Sequence, residues 1–143
     1  MSIRILHTAD WHLGPFKGPV DKDGMNLRYK TTVKCLEFMV ETAKAQHPDI
    51  VCVSGDIFHQ EQVGPVRYSD EMLTATRIIT ELAETAKLVI VMRGTPNHDG
   101  AGQFRVLEKM LEGNRRIIVV TEPRVIATRI ADFAVVPGFD KQD

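Results

Sequence analysis

Three short clusters in this chain carry side chains suited to holding cations: Asp10-Trp11-His12, Gly55-Asp56 and Asn97-His98-Asp99. A carboxylate and an imidazole two residues apart fall on one side of an extended chain, and that donor pair suits a divalent transition metal. Asp56 ends the apolar run Ile50-Val51-Cys52-Val53-Ser54-Gly55. A carboxylate delivered by a buried strand is costly unless something offsets its charge, and it can bridge two cations. Gly55 lets the backbone turn sharply or a ligand approach closely. Asn97 offers a neutral oxygen, and His98 is a ligand or an acid–base group. Asp99 stands where it could accept the other ring N–H of His98 and hold one tautomer. Taken singly, each has a plainer reading: Asp10 a turn cap and His12 a surface histidine, Asp56 a loop cap, and Gly94-Thr95-Pro96-Asn97 a turn. Taken together, three separate strand ends bearing ligands point to one metal centre.

The elements that must position these clusters are legible from hydrophobic patterning. Apolar, β-branched runs at Ile3–Leu6, Ile50–Val53 and Leu88–Met92 alternate with helix-length gaps, a βαβαβ pattern. In an open parallel α/β sheet the carboxyl ends of the strands form the ligand crevice, so residues some forty positions apart can meet there. The first helix is expected over Asn26–Gln46, with Val33, Leu36, Phe38, Met39, Val40 and Ala43 as its apolar stripe and His47-Pro48 as its stop. The second is expected over Asp70–Ala86, capped by Ser69 or Asp70 and burying Met72, Leu73, Thr76, Ile78, Ile79, Leu82 and Ala83. The third spans Gln103–Leu111, carries Phe104, Val106, Leu107, Met110 and Leu111, and stops at Gly113-Asn114. Beyond it, Ile117–Thr121, Val125–Ile130 and Phe133–Val136 read as adjoining strands that extend the sheet.

Composition narrows the class. At 143 residues the chain makes one domain that can bury roughly two thirds of its unfolded surface. With 43% apolar and 26% charged residues it is neither disordered nor a coiled coil. Lysine and arginine number 18 against 19 acids, so no broad basic field advertises a nucleic acid, although a local groove with metal ions would serve a nuclease. Cys35 and Cys52 are poor material for a disulfide framework, which favours a reducing cytoplasm. No apolar stretch approaches membrane-spanning length, and no signal peptide precedes the first strand.

His7-Thr8-Ala9-Asp10-Trp11-His12-Leu13-Gly14, Ser54-Gly55-Asp56-Ile57-Phe58-His59 and Asn97-His98-Asp99 resemble the first three motifs of the calcineurin-like metallophosphoesterases. The Asp-Trp-His-Leu-Gly and Gly-Asp-Ile-Phe-His forms are most similar to the SbcD-type DNA repair exonucleases. The resemblance covers residues 3 to 99 well, and the strands to 139 are compatible with it. It implies an α/β layered sheet with flanking helices and a dinuclear centre, usually manganese. Asp10 and His12 would bind the first ion, Asp56 would bridge both, and Asn97 would bind the second. His98 would be the catalytic histidine with Asp99 as its partner, and His59 would handle the DNA end. The activity implied is two-metal hydrolysis of DNA phosphodiesters in exonuclease and endonuclease modes, serving DNA repair and recombination. The partners implied are an SMC-like coiled-coil ATPase of the SbcC type and a second copy of the chain through helices.

The remaining candidates divide between structure and function. His7 is expected in the core, His47 at a helix end, and Trp11 packed beneath the metal loop or stacked on a base. Lys17, Lys22, Arg28 and Lys30 could meet phosphates, but Asp21 and Asp23 among them fit a solvated loop. Two departures from the family pattern stand out. Thr95-Pro96 separates Gly94 from Asn97, and no histidine follows His98, whereas the family completes its site with a later histidine and a Gly-His-x-His motif. The expectation is therefore an N-terminal part of the phosphoesterase domain over residues 1–143, one half of its sandwich core. Such a chain would hold at most one ion firmly and be weak or inactive alone. The rival readings are a small-molecule or nucleotide phosphodiesterase of the same superfamily, and a non-catalytic module that binds the ATPase.

Overall fold

The computed structural model describes residues 2–61 and 70–138. Four strands, β1 (Ile5–Thr8), β2 (Ile50–Val53), β3 (Leu88–Met92) and β4 (Ile117–Val120), form a parallel sheet in sequential order. Three helices make the crossovers: α1 (Leu27–Gln46), α2 (Asp70–Thr85) and α3 (Ala101–Leu111). Sequential strand order with crossovers of one hand puts every helix on the same face, and α2 packs between α1 and α3.

Alternate strand residues serve opposite faces. Val51, Val53, Val89 and Val91 are buried against Leu36, Val40, Ile78, Ile79, Leu82, Phe104 and Leu107 of the helices. Ile50, Ile90 and Val120 point the other way and are covered by Ile126 and Val135. Those two residues belong to β5 (Arg124–Ala127) and β6 (Asp132–Val135), an antiparallel pair separate from the main sheet. The last two strands thus lie across the sheet instead of extending it; only β4 does that. The reason is patterning: β2 and β3 are apolar on both faces, whereas β5 and β6 are largely exposed and suit a half-covered hairpin.

Helix boundaries follow local chemistry. The Asn26 side chain accepts from the Arg28 and Tyr29 N–H groups, so it caps α1 and the helix starts one residue later. His47, in the left-handed region at φ 48°, ends it by donating its N–H to the Ala43 carbonyl. Phe38 departs from the expected stripe: it is 74% exposed, because it sits two residues from both Leu36 and Val40, on the opposite side of the helix. Leu73 is likewise exposed. The third helix begins at Ala101, two residues early, with Phe104 N–H donating to the Gly100 carbonyl. His7 is exposed instead of buried, since β1 is the edge strand among the described ones and the hairpin leaves its face bare there; its Nε2 lies 2.8 Å from Ser54 Oγ. The Ser69 cap and residues 139–143 lie outside the described residues. Among the described residues both cysteines are free, and no helix is long and apolar enough to cross a membrane.

Candidate metal centre

Pairing of β1 with β2 continues past the ends of both strands. Ser54 N–H donates to Thr8 O, Asp10 N–H to Gly55 O, His12 N–H to Asp56 O, Leu13 N–H to Ile57 O, and His59 N–H to Leu13 O. The two ligand-bearing loops are therefore backbone-stitched. The chain is not extended there, however: Asp10, His12 and Asp56 occupy the left-handed region at φ 56°, 48° and 51°. Each such non-glycine residue carries a cost of about 1 kcal/mol or more, of the kind found at functional sites. Gly55, at φ 87°, takes the conformation that only glycine adopts freely.

The third loop is clamped to the second. Glu61 N–H donates to Asn97 O, and the Thr95 N–H and hydroxyl donate to Asp56 Oδ1 at 2.6 and 2.9 Å. The Thr95-Pro96 insertion thus holds the Asp56 carboxylate and leaves Oδ2 free of hydrogen bonds among the described residues. A β-carbon at Gly94 would lie 2.1 Å from Asp56 N, and one at Gly55 would lie 2.4 Å from Gly94 Cα. Gly138, whose N–H donates to Arg93 O, closes on Gly94 as tightly, with a β-carbon there 2.1 Å from Gly94 O.

These constraints bring His12, Asp56 and His98 together, with one donor atom from each within 4.8 Å of the others. The His12 and His98 rings meet edge to face at 4.5 Å. His12 Nδ1 is buried with no hydrogen-bond partner, while its Nε2 lies 3.5 Å from Asp10 Oδ1. An orphaned buried imidazole nitrogen beside a carboxylate and a second imidazole fits a divalent cation by donor type and spacing. Asp10 stands at the margin, its side chain 70% exposed, outside the group of three. Asn97 is exposed on the Thr95–Asp99 turn, and its side chain makes no hydrogen bond to the described residues. Among the described residues no second complete ligand set accompanies this one.

His98 is oriented by a different group from the one its neighbour suggested. Its Nδ1 donates to the His59 carbonyl at 2.5 Å, which leaves Nε2 open to another partner. Asp99 is fully buried and turned away: Oδ1 accepts from Phe58 N–H at 3.1 Å and Oδ2 from Gly94 N–H at 2.8 Å. Burial pushes its carboxyl above the usual carboxylate range, while those N–H groups pull it back. Adjacent residues on a turn point apart, so Asp99 ties loops together while the carbonyl of His59 orients the ring.

His59 packs beneath Gly14, where a β-carbon would fall 2.3 Å from His59 Cβ, and its ring lies 6.2 Å from His12 and 6.4 Å from His98. Desolvation lowers its basicity first, and the Arg28, His12 and His98 charges add to that. Phe16, which sequence reasoning passed over, packs its ring on His59 at 4.7 Å, and the Arg28 guanidinium lies 4.0 Å over the same Phe16 ring. Thr95, Gly94 and Gly138 were also missed, although the insertion at Thr95-Pro96 marked the loop as unusual. Trp11 packs in the core, as expected, with Nε1 donating to Thr8 Oγ1.

The chain is 30% identical over 97 residues to the SbcD component of nuclease SbcCD from Escherichia coli K12, and equally to that of strain O157:H7, covering 68% of this chain and 21% of each relative. It is 29% identical over 115 residues to the DNA double-strand break repair protein Mre11 of Aeropyrum pernix, covering 77% of this chain and 25% of that protein. The chain therefore spans about a fifth to a quarter of the length of these relatives. The profile of the calcineurin-like phosphoesterases matches residues 3–139, nearly the whole chain and all three ligand loops, so the protein belongs to that family.

Proposed function

We propose that this chain carries the first half of a DNA nuclease centre that hydrolyses phosphodiesters with divalent metal, most suitably manganese. The observation that carries the reading is the His12, Asp56 and His98 cluster at the ends of β1, β2 and β3, in a member of the phosphoesterase family with nuclease relatives. Asp10 and His12 would hold one ion, Asp56 would be the carboxylate shared with a second, and Asn97 would serve that second ion. When bound, divalent cations neutralise phosphoryl oxygens and acidify water. His98, whose Nδ1–H is held by the His59 carbonyl, acts as the imidazolium: its second proton, on Nε2, is donated to an oxygen of the scissile phosphate or passes to the leaving oxygen, and the ring is left neutral with Nδ1–H still held. His59 borders the path of the DNA end, and Asp99 supports the site from beneath.

No histidine follows His98 in this sequence, and the donors present would hold one ion more firmly than a second. By analogy with the SbcCD nucleases, the functional assembly is a cytoplasmic repair complex with a coiled-coil ATPase and a second nuclease copy.

The test is manganese titration by calorimetry on the chain and on Asp56→Ala, with digestion of linear duplex DNA and of bis(p-nitrophenyl) phosphate by the same samples. One weak site lost in the variant, with residual cleavage of DNA, supports the proposal. Cleavage confined to the small ester shifts it to a small-molecule phosphodiesterase. Absence of any manganese site refutes it and favours the ATPase-binding module.

A further inference from the structure

Among the described residues, one cation near the centre is seated on an aromatic ring without an acidic partner. Lys30 is engaged by Asp21 at 2.7 Å, and exposed Lys17 and Lys22 have no fixed contact among the described residues. Arg28 differs. Its guanidinium is seated 4.0 Å over the Phe16 ring, and among the described residues its N–H groups make no hydrogen bond or ion pair. Phe16 packs on His59 at 4.7 Å, and His59 stands 6.2 to 6.4 Å from the rings of His12 and His98. An unbroken row of rings thus leads from the ligand cluster to a fork of unpaired donors.

The position of Phe16 is itself built. Asn26, which caps α1, donates its side-chain N–H to the Phe16 carbonyl, and the same cap sets Arg28 in the first helical turn. One residue therefore fixes both the ring and the cation above it. Stacking restrains the guanidinium plane and leaves its edge donors open for a phosphate. The neighbouring groove, of about 360 Å³ and also touching Phe16, is rimmed by Asp23, Asp70 and Glu71 and repels such a group.

We infer that Arg28, held on Phe16, is a positioning residue that clamps a backbone phosphate adjacent to the one at the His12, Asp56 and His98 cluster. The inference rests on the polynucleotide reading above and specifies how the strand is held. Two rings separate the guanidinium from the cluster, so the clamped phosphate is a neighbour of the scissile one.

The test is fluorescence anisotropy with a labelled single-stranded DNA oligonucleotide in chelator, across a salt series, for the wild type, Arg28→Gln and Arg28→Lys. Arg28 is exposed, and matching melting curves establish that both variants fold. Arg28→Gln should bind about tenfold more weakly and flatten the salt dependence by about 0.7 in log–log slope, one phosphate contact on a single strand. Arg28→Lys keeps the charge without the planar fork and should recover less than half of the lost affinity. Wild-type affinity in Arg28→Gln, or full recovery in Arg28→Lys, overturns the clamp alone. Failure of the wild type to bind at any salt overturns the polynucleotide reading and the clamp with it.

Discussion

Replacing Asp99 by Asn distinguishes two jobs for one carboxylate. An orienting partner of His98 would, when lost, reduce chemistry and spare stability; a tie between loops would do the reverse. In the structure the carboxylate is fully buried and accepts from Phe58 N–H and Gly94 N–H. A hydrogen bond to a charged group contributes about 1.5–3 kcal/mol, and a buried donor left without a partner costs about 1–3 kcal/mol. Asparagine keeps one acceptor oxygen and turns an amide NH2 toward the other N–H. Against this, the amide escapes the desolvation that raises the Asp99 carboxyl. The balance is a loss of about 2 kcal/mol at neutral pH, or roughly 30-fold in the folding equilibrium. Urea unfolding followed by the single tryptophan, buried Trp11, reads it. At a slope of about 1.5 kcal/mol per molar, the midpoint falls by about 1.3 M with the slope unchanged. Stability within about 0.5 kcal/mol of wild type, with manganese affinity or ester hydrolysis sharply reduced, would refute the structural role.

Two further outcomes follow from packing and charge. Leu36→Ala should cost about 2–4 kcal/mol in urea unfolding because Leu36 is 6% exposed, whereas Phe38→Ser, two residues along the same helix, should stay within about 0.5 kcal/mol. The Lys87 ammonium first, then the Arg4 N–H, hold the Asp49 carboxyl below its ordinary value of 3.8. A lowered folded-state pKa adds stability above the unfolded value that is lost as pH falls through the folded one. The melting-temperature gap between wild type and Asp49→Asn should therefore be constant from about pH 5 to 8 and close below about pH 4.

The parallel sheet and the meeting of its ligand loops were legible because both rest on periodicities local to each segment. Continuous apolar runs announced β2 and β3, and the donor residues stood directly after them. What escaped depended on relations across the fold. Whether the β5 and β6 pair lies beside the sheet or across it is settled by the uncovered apolar face of Ile50, Ile90 and Val120, which no single segment displays. The exposure of His7 depends on β1 having no outer neighbour among the described strands. The direction of Asp99 was hidden by a turn that separates it from His98, and Phe16 carried no signal of its own because Asn26, ten residues on, holds it.

The glycines beneath the ligand loops affect how an ion is received. Gly55, Gly94 and Gly138 stack backbone on backbone with no room for a β-carbon, and Asp56 is already held by Thr95. The ordering entropy of these loops is thus spent when the chain folds and need not be spent when a cation arrives. On the reading proposed above, affinity would be left to report donor chemistry and the fixed separation of His12 and Asp56. A candidate centre prepared in this way would discriminate among cations by size and preferred coordination, because its backbone has little freedom to reshape itself around an ion that fits poorly.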